Sequence, residues 1–192
     1  MTILQEYIDS IFNFEKNQDP SGFEERVGPP DELSAVIGRI TMNFQSLENE
    51  LKERIIQMLE MDQTKGHIVV SELSFKNLIN LFSSLYHNLK GEYHFNGLPN
   101  FEEEYFKELL KALNKCEERR NQILHSTIIE NWQTKEITRK KVTSKAKHGL
   151  KVSEETIDIP YLFNVADYII SMTMEVEQFF IGFKRKTNAN NG

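Results

Sequence analysis

The chain carries one cysteine, one tryptophan and five prolines among 192 residues, and it has no long apolar run. The lone thiol, Cys116, excludes an intrachain disulfide and agrees with a reducing compartment. Apolar stretches of a few residues fall far short of the ~20 that span a bilayer, so no transmembrane helix is expected. The N-terminal segment holds Glu6 and Asp9 where a signal peptide would hold a basic region and an unbroken apolar one. The expectation is a cytoplasmic protein without membrane contact. His67, His87, His94 and His148 are dispersed, and neither HExxH, CxxC nor a His-carboxylate pair at ligand spacing occurs. No metal and no cofactor is therefore expected. Glycine-rich phosphate loops and a Ser-His-Asp pattern are absent too. A net charge of −6 argues against indiscriminate binding of nucleic acid.

What is present is helical periodicity. With 39% hydrophobic and 27% charged residues, the chain reads as one soluble globular domain over residues 1–192. Spacings of three and four predict a short first helix on Ile3, Leu4, Tyr7, Ile8, Ile11 and Phe12. A second, from Asp31 to about Glu60, carries Leu33, Ile37, Ile40, Phe44, Leu47, Leu51, Ile55 and Met58. Gly66 interrupts; Ser71 or Ser74 caps a third helix running from Phe75 to about Glu92. Asn100 caps a fourth that ends near His125. A last helix starts at Asp158-Ile159-Pro160 and runs to about Lys184, and residues 187–192 read as a disordered tail. Between the fourth and last helices, residues of about 127–157 turn to Ile, Val and Thr with partial alternation. They predict a hairpin or a three-stranded meander over Thr127–Trp132, Glu136–Ser144 and Leu150–Ile157. The expected class is mainly α, a bundle of about five helices with a small β insertion.

The fourth helix ends in Arg120-Asn121-Gln122-Ile123-Leu124-His125. An arginine and a histidine at this spacing arise by chance about 0.2 times in such a chain, and about 0.01 times with the asparagine fixed. At 100° per residue and with Phe106 at zero, Leu109, Leu110, Leu113 and Leu124 define an apolar stripe. Arg120 falls at about −40° and Glu117 at about 20°, both inside it. Burying unpaired charge costs several kcal/mol, so Arg120 and Glu117 must pair, face a cleft, or face a partner chain. Asn121 and His125 share a side, whereas Arg120 and His125 diverge by about 140°. On the second helix Glu48 lies at the edge of the main stripe. It is either half of an internal ion pair with Arg120 or, like Glu117, the acid that orients Arg120 or tunes His125. Cys116, at the stripe's edge, reads as a core thiol, and His87 as a surface residue.

The string from Arg120 to His125 resembles the signature of the HEPN superfamily, small helical domains many of which are metal-independent ribonucleases. The resemblance implies transesterification of RNA. His125 would be the general base or acid at the ribose 2′-oxygen or the leaving 5′-oxygen, Arg120 the group that neutralises charge on the phosphorane, and Asn121 a positioning amide. It also implies a homodimer, because HEPN nucleases build a composite site from two copies of the motif. A toxin or antiviral effector, with an antitoxin or regulatory protein as partner, would be in keeping with such families. In one toxin branch a tyrosine that the antitoxin modifies follows the histidine after one residue; here Thr127 stands in that place.

Two further features bear on partners. Lys135 to Lys151 holds Lys135, Arg139, Lys140, Lys141, Lys145, Lys147 and Lys151 against one acid, Glu136, a charge of +6. Together with Arg119 and with Trp132 for base stacking, these residues are candidates to hold RNA phosphates, or else they are solvated guards of a protruding hairpin. The last helix carries two opposed apolar stripes. One comprises Leu162, Val165, Ile169, Met172, Val176, Phe179, Phe180 and Phe183, and the other Phe163, Ile170, Met174 and Ile181, which predicts burial on both sides in a core or at a subunit interface. Two function classes result: a HEPN-type endoribonuclease, or a non-catalytic helical dimer that binds RNA or protein.

Overall fold

The computed structural model describes residues 32–91, 93–95, 102–131, 133–145 and 149–185. The predicted helix on Ile3 to Phe12, the Asn100 cap, Trp132, Lys147 and the tail from Thr187 lie outside those residues. Contacts divide the chain into Met1–Ala35 and Val36–Gly192, and the second unit carries the features below.

The described chain is mainly helical. Helix α1 (Glu32–Met58) buries Val36, Ile40, Phe44, Leu47, Leu51 and Ile55 along one face. Its stripe begins at Val36 rather than at Leu33 and Ile37, which are only half-buried. Glu60, with φ 51°, ends the helix in a left-handed turn, with Glu60 N–H donating to Gln57 O (3.1 Å) and Met61 N–H to Ile56 O (3.4 Å).

The next element differs from expectation. Gly66 does not interrupt the helical pattern but sits inside a nine-residue helix, α2 (Gln63–Ser71). Asp62 caps it, its Oδ1 accepting from the Thr64 and Lys65 amides at 3.1 and 3.3 Å. Helix α3 (Phe75–Leu89) follows with Ser74, not Ser71, as its cap.

After the short strand β1 (Tyr93–Phe95), helix α4 (Glu102–Leu124) buries Phe106, Leu109, Leu113, Cys116 and Ile123. Strands β2 (Thr127–Glu130), β3 (Ile137–Lys145) and β4 (Gly149–Ile157) form an antiparallel three-stranded sheet between α4 and the last helix, in the order β2-β3-β4. Ile137 and Ile157 face each other across β3 and β4 and are the sheet's buried residues among those described. Asp158 Oδ1 accepts from the Tyr161 amide at 2.7 Å and starts helix α5 (Ile159–Gly182). That helix stops short of Lys184, because Phe183–Arg185 form β5 and pair antiparallel with β1.

The core between α3, α4 and α5 is aromatic. Tyr86 and Phe106 stack with centroids 3.7 Å apart, Phe82 meets Phe106 at 5.1 Å, and Phe179 meets Phe106 at 5.3 Å. Such pairs contribute beyond their buried area, about 0.5–1.5 kcal/mol each. This cluster fixes α4 against α5 and so fixes what the end of α4 presents. The second stripe of α5 is not buried as a whole: Phe163 lies under the Arg39 guanidinium at 5.6 Å, whereas Met174 and Ile181 are 60% and 54% exposed. Among the described residues no helix is long and apolar enough to cross a membrane.

Candidate functional site

Arg120 leaves α4 on the buried side, as its helical position requires, and its charge has no carboxylate partner among the described residues. The guanidinium carbon sits 5.0 Å over the Phe44 ring of α1, a cation–π contact that suits a desolvated arginine. Phe44 is in turn packed against Phe75 at 4.7 Å. Arg120 Nη1 donates to Asn121 Oδ1 at 2.8 Å, and Arg120 Nε is buried without an acceptor.

The expected ion pairs therefore do not form. Glu48 bonds Lys52 one turn along its own helix at 2.6 Å, because its place at the stripe's edge brings it to Lys52 rather than across to α4. Glu117 is half-buried and forms no hydrogen bond or ion pair among the described residues.

His125 follows the last helical residue. Its amide still donates to Asn121 O at 3.1 Å, so the ring is carried by the helix end, and it is exposed. Ser126 closes the turn, its hydroxyl donating to Gln122 O at 2.5 Å. Asn121 and His125 share a side of the helix, but the Asn121 oxygen is engaged by Arg120. The motif thus forms an Arg120–Asn121 unit with an exposed imidazole one turn beyond it.

On the other side of His125 a second cluster forms that the sequence did not reveal. Arg119 Nη1 donates to Tyr161 Oη at 2.9 Å and to Gln122 Oε1 at 3.4 Å, and lies 5.9 Å from the Tyr161 ring. Arg139 Nη1, from β3, reaches the same Gln122 oxygen at 3.4 Å, while its Nη2 donates to Glu155. Gln122 Nε2 donates to Glu118 Oε1 at 2.8 Å. The Glu118 carboxyl is held below its usual range, first by its hydrogen bond from Lys115 and then by the Lys115 charge, with Arg119 adding to it. Gln122, Tyr161 and Glu155 are the residues missed by reading the sequence; the spacing of Arg119 and Gln122, three apart on α4, is the one signal that could have joined any of them.

The basic hairpin is largely paired. The register sets Arg139 opposite Glu155 and Lys140 opposite Glu154, and Lys140 Nζ lies 3.0 Å from Glu154 Oε1. Lys135 pairs with Glu130 at 3.2 Å. Lys141 is exposed and unpaired among the described residues, and Lys145 closes β3. Over residues 127–157 seven basic residues meet four acids, a net of +3. The +6 of the shorter segment is thus reduced where β4 supplies its acids.

Two grooves lie elsewhere. One of ≈ 210 Å³ between α4 and α5 is lined by Tyr105, Glu108, Leu109, Ala112, Met172 and Glu175. Burial, and then the Glu175 carboxylate that Tyr105 bonds at 2.5 Å, raise that phenol above its ordinary range. The other, of ≈ 340 Å³, is lined by Asn49, Lys52, Glu53, His67 and Ser71, with His67 Nε2 3.1 Å from Glu53 Oε1. Neither includes Arg120, Asn121 or His125. Among the described residues no three His, Cys, Asp or Glu side chains converge as a metal site. Comparison with protein-family models, curated proteins and solved structures yields no match.

Proposed function

We propose that this chain is a metal-independent endoribonuclease of HEPN type. The observation that carries the reading is Arg120: a permanently charged guanidinium, partly buried, held by an amide and an aromatic ring and opposed by no carboxylate among the described residues. An arginine whose forked donors are all taken by an internal carboxylate is spent, whereas this one keeps donors for an anion from outside, and phosphate suits them. The exposed His125 one turn along supplies an imidazole that can take up a proton in the reaction. In the reaction the ribose 2′-oxygen attacks the adjacent phosphorus and its proton passes to His125. The 5′-oxygen leaves and takes a proton from water, and a 2′,3′-cyclic phosphate remains. Arg120 neutralises the phosphorane and Asn121 aims Arg120.

The 140° between Arg120 and His125 on one helix is spanned if His125 of one copy meets Arg120 of a second. The exposed Met174 and Ile181 of α5 supply apolar surface for that copy. A role as a growth-arresting toxin or antiviral effector, restrained by a regulatory protein, accords with this chemistry.

A second reading has its own support. The contact of Arg120 with Phe44 and the pairing of Lys140 with Glu154 favour a non-catalytic helical module that binds RNA or protein. Incubation of the full chain with total RNA in EDTA separates the two. Cleavage with cyclic-phosphate ends, reduced at least ~100-fold in His125→Ala and Arg120→Ala, is expected. Cleavage that survives His125→Ala sinks the ribonuclease assignment, and no cleavage by any form favours the module.

A further inference from the structure

Asn121 and Gln122 are consecutive amides that leave α4 on opposite sides of His125. At 100° per residue Asn121 lies about 40° to one side of it and Gln122 about 60° to the other. Each amide oxygen faces arginine. Asn121 Oδ1 accepts from Arg120 alone among the described residues, at 2.8 Å. Gln122 Oε1 accepts from both Arg119 and Arg139, each at 3.4 Å.

Those two bonds are long against the ~2.9 Å usual for N–H···O. Two like charges thus converge on one neutral oxygen that satisfies neither well. The surrounding groups discharge the pair only in part. Tyr161 is a neutral acceptor for Arg119, which forms no ion pair among the described residues. Glu155 occupies only the far nitrogen, Nη2, of Arg139. The carboxylate nearest the amide, Glu118, is exposed and shared between Lys115 and Gln122 Nε2. Arg139 is held in place rather than free to swing, its side chain 13% exposed. A fixed pair of forked donors around a weak acceptor is the arrangement that a tetrahedral polyanion improves, since phosphate oxygens accept from two guanidinium groups at once.

We infer that Arg119 and Arg139, converging over Gln122, form a second anion subsite beside His125, which takes the phosphate neighbouring the scissile one in single-stranded RNA. This rests on the ribonuclease reading for its choice of ligand. The proton-transferring imidazole then lies between two arginine-lined positions, Arg120 on one side and Arg119 with Arg139 on the other, as successive charges of a nucleic-acid strand require. The three-stranded sheet delivers Arg139 to the end of α4, which gives the insertion a part in substrate binding that does not depend on the paired lysines farther along it.

The test is binding, so that it is independent of cutting. A fluorescent single-stranded RNA is titrated in EDTA, over a range of salt, into the full chain bearing His125→Ala. Adding Arg119→Gln and Arg139→Gln together is expected to weaken binding ~10- to 100-fold and to make the salt slope shallower by about 0.7 for each phosphate lost. Gln122→Glu places a carboxylate between the two guanidinium groups and is expected to weaken RNA in the same way while leaving the melting temperature unchanged or higher. A merely structural clasp predicts the reverse. If the double variant melts lower yet it and Gln122→Glu bind RNA with the parent's affinity and slope, the subsite is refuted. If the parent binds no RNA at any salt, the subsite falls as well. Binding that responds as expected in a protein whose unmutated form cuts no RNA would leave the subsite standing and overturn the ribonuclease reading alone.

Discussion

Asn121 Oδ1 holds the guanidinium of its immediate neighbour Arg120 at 2.8 Å, although successive side chains leave a helix about 100° apart. Arg120 therefore bends toward its neighbour on the inner face of the helix, with Phe44 beneath it. The carboxamide contributes direction without charge. Asn121→Asp would keep the shape and add a carboxylate, which pairs with Arg120 and removes its charge from the reaction. RNA cleavage is expected to fall ~100-fold or more. The melting temperature should barely move, because a partly exposed pair contributes only about 0–1 kcal/mol. Asn121→Ala, which frees Arg120 but leaves it charged, is expected to cost about tenfold, the value of one hydrogen bond to a charged group. Equal activity in the two variants would show that the amide does not aim the arginine.

Gly66 marks a contact on which the placement of α2 depends. A Cβ there would stand 2.5 Å from Ile56 Cγ2 and 2.8 Å from Ile56 Cγ1. Both atoms branch directly from the Ile56 Cβ, so no rotation removes both from the path. Gly66→Ala gains about 1 kcal/mol of helix propensity but incurs an overpacking cost of about 1–3 kcal/mol. A net loss of about 1 kcal/mol in denaturant unfolding is expected. Ile56→Ala alone should cost about 2–5 kcal/mol. The double variant should lose less than the two together by roughly 1 kcal/mol, and strict additivity would show that the contact is not the cause.

The long helices were legible because their apolar positions recur at three and four over many turns: Phe44, Leu47, Leu51 and Ile55 in α1, or Phe106, Leu109 and Leu113 in α4, leave no other period open. Helix α2 was not. It buries only Gly66 and Val70 and exposes Ile68 and Val69, so it has almost no amphipathic pattern, and the glycine that fits it against Ile56 reads as a breaker. The hairpin's existence was legible from its β-branched residues, but its ion pairs were not. Opposing residues sum to a constant set by the centre of the turn, and moving that centre by one residue shifts every partner by two. Only the register that joins Lys145 to Gly149 brings Glu154 and Glu155 onto Lys140 and Arg139. For the motif, helical geometry correctly placed Arg120 on the inner face. It could not name Phe44, which is brought there by packing between elements distant in sequence.

Cys116 gives a pH dependence with a definite sign. Burial pushes its thiol up to about 12, against roughly 8.5 for an unfolded cysteine. A folded value above the unfolded one means a contribution that is fully present below about pH 8.5 and is lost as pH rises toward 12. Tyr105 and Tyr168 are also raised by burial, and their losses begin near the ordinary phenol value of about 10. The interval from about pH 8.5 to 10 isolates the thiol. Unfolding free energy measured across it should decline, by up to about 1.4 kcal/mol per pH unit for one proton, and Cys116→Ala should flatten the decline. An unchanged slope in that variant would assign the loss to other groups. The folded thiol should also resist alkylation at pH 8, since both its burial and its protonation withhold the thiolate.

The association of two copies is tested through the geometry that motivates it. Met174 and Ile181 stand seven residues apart on one exposed face of α5, and lysine at both would place charge in any contact made there. Each is a surface site in the single copy, so the double substitution should change unfolding of the isolated chain by no more than about 0.5 kcal/mol per site. Light scattering at micromolar concentration should show a dimer for the unmodified chain and a monomer for the double variant, with cleavage lost in step with the mass. Mixing supplies the sharper result. Neither Arg120→Ala nor His125→Ala cuts RNA alone, but a mixed dimer retains one position in which an intact Arg120 meets an intact His125 from the other copy. Combining the two inactive proteins should therefore restore a fraction of the activity approaching one quarter of the unmodified level, since about half of the dimers are mixed and each has one of two sites intact. If both partners of a site belong to one chain, or if the chain is monomeric, mixing restores nothing and the 140° between Arg120 and His125 must be spanned within a single copy.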